Sequence, residues 1–176
     1  MMNEKLKELI DYAKNERSKT VNGYYTKLNK LKESNKNNKL TDSSIIKNCP
    51  NYTDTLKRYE DLFNIIIDIE NAHTEKESFD DKIKYYRETY NNMMSVGIVA
   101  NKQETYSKCI RKITDGIEHL DTLFDAAEHN AKSLSNNISD SDRICNLLLA
   151  HYKNYIKSQK LEIDVWITAV TDALKN

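Results

Sequence analysis

Glycine and proline are nearly missing from this chain, which has three Gly and one Pro in 176 residues. Turns draw on both residues, so few tight connections are on offer and long helices are the natural consequence. So little glycine also leaves no material for a phosphate-cradling loop. No P-loop, G-x-S-x-G or H-E-x-x-H pattern is present. Net charge is missing too, with 27 basic side chains against 27 acidic ones. A nucleic-acid binder ordinarily carries a basic excess, so no nucleic-acid partner is expected. No apolar run approaches the roughly 18–20 residues that a membrane span needs. Residues Met1–Tyr12 carry a charge every few positions rather than the apolar core of a signal peptide. That pattern favours the cytoplasm, with a non-Sec route or a trimmed precursor as the alternative. Cysteine is scarce: Cys49, Cys109 and Cys145 stand far apart with no C-x-x-C, so neither a disulfide framework nor a zinc knuckle is indicated. Cys109 sits beside one apolar stripe and Cys145 opens another, and both read as buried small hydrophobes. Cys49, just before Pro50, is the cysteine expected at the surface.

What the chain does have is helical periodicity. From Tyr106 to Ile138 apolar residues recur at Tyr106, Ile110, Ile113, Ile117, Leu120, Phe124, Ala127, Ala131, Leu134 and Ile138. The steps alternate four and three, the a/d rhythm of a helix that packs against other helices. Such a helix spans roughly 50 Å at about 1.5 Å per residue and needs partners to bury its stripe. A first helix is predicted from Glu4 to about Glu33, with Leu6, Ile10, Ala13, Val21, Tyr24, Leu28 and Leu31 on one face. Arg17 and Thr20 interrupt that face. The polar stretch 34–43 reads as a flexible loop, followed by a short helical turn at Ser43–Asn48 that Pro50 stops. A second helix is predicted from near Asn51 to about Lys76. Its Leu62–Ile69 segment is apolar on nearly every side and is the expected centre of the core. Ser78 caps a third, reaching about Met93, and the uncharged segment Met93–Ala100 leads to a fourth from about Asn101. Ser139–Asp142 caps a fifth, carrying Cys145, Leu148, Tyr152, Tyr155, Ile163, Trp166 and Val170. The fold class is therefore all-α. A single domain over 1–176 is expected, an elongated antiparallel bundle of four to five long helices with coiled-coil-like packing.

Few constellations carry chemistry. Glu70 and His73 form one E-x-x-H, the spacing that sets a carboxylate and an imidazole on one helical face. Di-iron bundles need two such motifs, and His119, His129 and His151 have Gly116, Ala126 and Leu148 three residues before them. Glu70 and His73 remain weak metal candidates, and no cofactor is expected. Asp115/His119 and Asp125/His129 are i, i+4 pairs of the kind that stabilise an exposed helix by a few tenths of a kcal/mol. Asp115, Glu118, Asp121, Asp125 and Glu128 form an acidic ribbon with no Lys or Arg between Ile113 and Ala131. Residues 1–60 hold 13 Lys/Arg against 8 Asp/Glu. Asp121, Asp125 and Glu128 are thus expected either to dock the chain's own basic first helix or to offer a partner surface. In each of the pairs Tyr24-Tyr25 and Tyr85-Tyr86 one ring faces the seam, which leaves Tyr25 and Tyr85 as candidate anchors for a partner. The function these features imply is a non-enzymatic interaction protein that binds another protein or copies of itself. A surface adhesin or helical pore-former, and a metal-dependent bundle enzyme, are the alternatives.

Overall fold

A computed structural model describes residues 2–51, 88, 100–137 and 142–176. These residues are mostly helical. They form three helices, α1 (Glu4–Asn38), α2 (Tyr106–Asn137) and α3 (Asp142–Lys175), with a two-stranded antiparallel ribbon of β1 (Ile45–Pro50) and β2 (Ala100–Thr105) that comes between α1 and α2 in chain order. Each helix packs on the other two. Their senses follow from the cross-links. Arg17 meets Asp121 and the backbone of Ser107 meets Asp42, so α1 and α2 are antiparallel. Asn3 meets Asp142 and Tyr24 meets Asp164, so α1 and α3 run in the same direction.

The predicted stripes form the core. All seven apolar positions of the α1 face are buried, as are all seven of the α3 face. On α2, Tyr106, Ile113, Ile117, Leu120, Phe124, Ala127, Ala131 and Leu134 are buried, with Ile113, Ile117, Leu120, Ala127 and Ala131 at 0% exposure. Ile110 is only half-buried, and Cys109 beside it is the fully buried residue of that turn. The a/d rhythm identifies the stripe, while the exact centring of each turn depends on the neighbours that fill it.

Several expectations are corrected. The helix predicted to stop near Glu33 continues to Asn38 and enters a left-handed cap at Lys39 (φ 56°). There the Asn35 side chain accepts from Leu40 N at 2.8 Å and donates to Leu40 O at 3.0 Å. The Asn-rich stretch is thus partly a helix end with its cap, since Asn satisfies orphan backbone groups and tolerates positive φ. The short helical turn predicted at Ser43–Asn48 is instead a turn at Ser43 followed, from Ile45, by β1. Its β-branched Ile45 and Ile46 suit a pleated surface once a partner strand is present. The helix predicted from about Asn101 begins at Tyr106, because Ala100–Thr105 is that partner strand. The all-α reading therefore misses one ribbon. The loop before it also starts α2: Ser44 O accepts from Tyr106 N at 2.8 Å and Asp42 O from Ser107 N at 3.2 Å. Two of the four orphan donors of that helix are met this way. At its other end, α3 begins at Asp142 as expected from the capping residues.

The second predicted helix, with its Leu62–Ile69 core segment, lies outside the described residues, as do Glu70, His73 and Tyr85. Of the third, Glu88 is described and is helical and exposed. Among the described residues, no helix is long and apolar enough to cross a membrane.

Candidate functional site

The acidic ribbon of α2 and the interrupted face of α1 meet. Arg17 Nε donates to Asp121 Oδ1 at 2.7 Å, and its Nη atoms reach Asp121 Oδ2 at 3.2 Å and Asp125 Oδ1 at 3.0 Å. Lys14 lies 3.9 Å from Glu128, which also faces Lys132 at 3.7 Å. Arg17, which breaks the apolar stripe of α1 in the sequence, is thus the residue that engages the acids. Its planar fork grips one carboxylate with two bonds and a second with one. The bond from Arg17 holds the Asp121 carboxyl below its ordinary range, and burial opposes it only in part. The same bonds keep Arg17 charged. Asp115 and Glu118, the other two acids of the run, are exposed.

These pairs sit at the surface, with Arg17 at 38% and Asp125 at 63% side-chain exposure, so each contributes only about 0–1 kcal/mol and weakens with salt. Replacing Asp121, Asp125 and Glu128 together by Lys is expected to cost about 1–2 kcal/mol at low ionic strength, read from urea unfolding. Most of that loss should vanish in high salt. An unchanged unfolding midpoint at low salt would contradict the contacts. Because the Asp121 carboxyl is lowered in the folded state, its contribution is present above the unfolded value near 3.8 and disappears as pH falls through the folded value. Asp121→Asn should therefore lose stability near neutral pH and show a shallower acid limb below about pH 4.

Several polar side chains inside the bundle are also partnered. Tyr24 Oη donates to Asp164 Oδ1 at 2.9 Å and lies 3.2 Å from Lys160 O, tying α1 to α3. Burial and then the Asp164 charge push the Tyr24 phenol up. Tyr25 is half-buried, as expected for the second ring of that pair. Asn130 donates to Tyr152 Oη, and Gln159 Nε2 donates to Gly116 O at 3.2 Å, both between α2 and α3. His119 Nε2 lies 3.1 Å from Tyr155 Oη, so it belongs to the α2–α3 contact rather than to a solvated i, i+4 pair. His129 is exposed. Among the described residues, no three His, Cys, Asp or Glu side chains gather to hold a metal.

Two features of the ribbon end escape sequence reasoning. Cys49, expected at the surface, has 0% exposure and lies 3.5 Å from the sulfur of Cys109. Ile45 stands 59% exposed on the outer face of β1, which it shares with exposed Lys47. Neither has a local signal, because each depends on a strand partner more than 50 residues away in the chain. Comparison of the chain with protein-family models, curated proteins and solved structures finds no match. What the fold and these contacts define is a class: a mostly helical protein with a small antiparallel ribbon, whose acidic ribbon on α2 meets basic residues of α1.

Proposed function

We propose that this chain is a non-enzymatic protein-binding module, and that a partner protein engages the ribbon end of the bundle. The observation that carries the reading is Ile45. It is 59% exposed, and among the described residues only Met2 is another large apolar side chain so open to solvent. Binding interfaces set an apolar core within a polar rim, and Ile45 beside exposed Lys47 offers such a core. Asp121, Asp125 and Glu128 are spent on α1, so they are weaker partner candidates than Ile45. Tyr25 remains at the edge of the α1 seam, where it can add contact area.

The test uses the full-length protein with a photo-crosslinking residue in place of Ile45, expressed in its native cell. A single protein adduct, or an adduct of the chain with itself, is expected. Ile45→Asp should weaken the same association about tenfold or more, roughly 1.4 kcal/mol, while the melting temperature stays unchanged because the site is exposed. Light scattering of the purified chain separates self-association from a different partner. Equal association of Ile45→Asp and wild type would remove the proposal.

A further inference from the structure

Cys49 and Cys109 are 60 residues apart in sequence, yet their sulfurs touch at 3.5 Å and both side chains are fully buried. An irregularity in the ribbon makes the contact. A regular strand would alternate, so that with Ile46 inward Cys49 would point out. Instead the register shifts between Ile46 and Cys49 and again between Cys49 and Pro50. Asn48 takes a left-handed backbone (φ 63°), a conformation that Asn accepts more readily than most residues. Asn48 is left exposed and Cys49 turns inward. Bulges of this kind re-aim a side chain, and this one aims a thiol at Cys109 in the first turn of α2. Cys145, buried in the first turn of α3, belongs to the other end of the bundle.

We propose that Cys49 and Cys109 form a disulfide site, closed when the chain folds in the presence of a disulfide oxidant such as oxidised glutathione or a protein disulfide oxidase. One cysteine thiolate attacks the oxidant's S–S bond, frees one of its two sulfurs as a thiol and leaves a mixed disulfide with the other. The second thiolate then displaces that other sulfur, also as a thiol. The two cysteine sulfurs give up two electrons, the oxidant takes them, and the two protons leave on the two released thiols. The bond requires the sulfurs to approach to about 2.05 Å, a shift of roughly 1.5 Å for atoms already in contact. Burial pushes both thiols up, which keeps the attacking thiolate rare in the folded state. The bond therefore forms during folding, and once formed it is shielded from external thiols. In a reducing compartment the pair stays as two thiols. Once closed, it ties the end of β1 to the start of α2 and closes the whole intervening segment into a loop.

The experiment refolds the reduced full-length chain in a glutathione redox buffer, quenches in acid, alkylates in denaturant and maps the peptides by mass. The expected result is a Cys49–Cys109 cross-link with Cys145 alkylated, and the same cross-link in Cys145→Ser. The oxidised protein should melt roughly 10 °C above protein refolded from the reduced, denatured chain in dithiothreitol, as a long closed loop implies. Cys109→Ser should melt at the same temperature with or without oxidant. Three alkylated cysteines at that redox poise, a stable glutathione adduct on either residue, or a cross-link through Cys145 would overturn the proposal. Wild type alone decides this, should either variant fail to fold.

Discussion

Phe124→Ala is expected to lower the stability of the protein by about 3–5 kcal/mol, the range for deleting a buried aromatic ring. Phe124 is 1% exposed, in the middle of the α2 stripe. Its ring lies 6.0 Å from that of Tyr12 on α1, tilted at 45°. Removing it takes away the transfer energy of a whole aromatic side chain and leaves a cavity between two long helices. Those helices are pinned close to it, by Arg17 to Asp121 and Asp125 and by Lys14 to Glu128. How far the two helices settle around the void decides where in that range the cost falls. Urea unfolding followed by circular dichroism measures it. Ile45→Ala is the control, with a change within about 0.5 kcal/mol expected for an exposed site. A Phe124→Ala loss below about 1 kcal/mol would mean that α1 and α2 do not pack as described.

Gly116→Leu is expected to be the second severe change, and Gly23→Ala to act in the opposite direction. Both glycines lie inside helices, where a glycine costs about 0.5–1 kcal/mol relative to alanine. At Gly23 an added Cβ meets nothing within 4 Å. Alanine there should raise stability by about 0.5–1 kcal/mol. At Gly116 the same Cβ would stand 3.0 Å from Ile163 Cγ1 and 3.4 Å from Gln159 Nε2, the atom that donates to Gly116 O. A single methyl sets the propensity gain against crowding. A leucine adds three further carbons that have to push α3 away from α2, at a cost of about 1–3 kcal/mol or more. Thermal unfolding of the two variants should therefore move in opposite directions from wild type. A Gly116→Leu protein as stable as wild type would show that α2 and α3 do not approach closely at that turn.

The helical stripes were legible because a helix buries every third or fourth residue whatever it packs against. Tyr106 through Leu134, Leu6 through Leu31 and Cys145 through Val170 all announce one apolar face by spacing alone. The meeting of the acidic ribbon with a basic α1 was legible as well, since two helices of opposite charge with free faces attract. The partner was not: Arg17 looked like a break in a stripe, because its role depends on which turn of α2 lies opposite. Tyr24 was visible as a core position. Its hydroxyl bond to Asp164 was not, since the two are 140 residues apart.

The ribbon shows most clearly where local reading ends. Ile45–Pro50 has a plausible helical beginning and a proline to stop it, while Ala100–Thr105 has no apolar alternation at all. Each became a strand only because the other lay alongside to complete its backbone hydrogen bonds. The same pairing exposed Ile45 and, through the shift around Asn48, buried Cys49 against Cys109. By itself the sequence determined that the chain is mostly helical, and which face of each described helix turns inward, because periodicity is a property of neighbours in the chain. The tertiary structure alone decided the helix partners, the ribbon and the thiol contact. Those depend on residues tens of positions apart, whose meeting no spacing along the chain encodes.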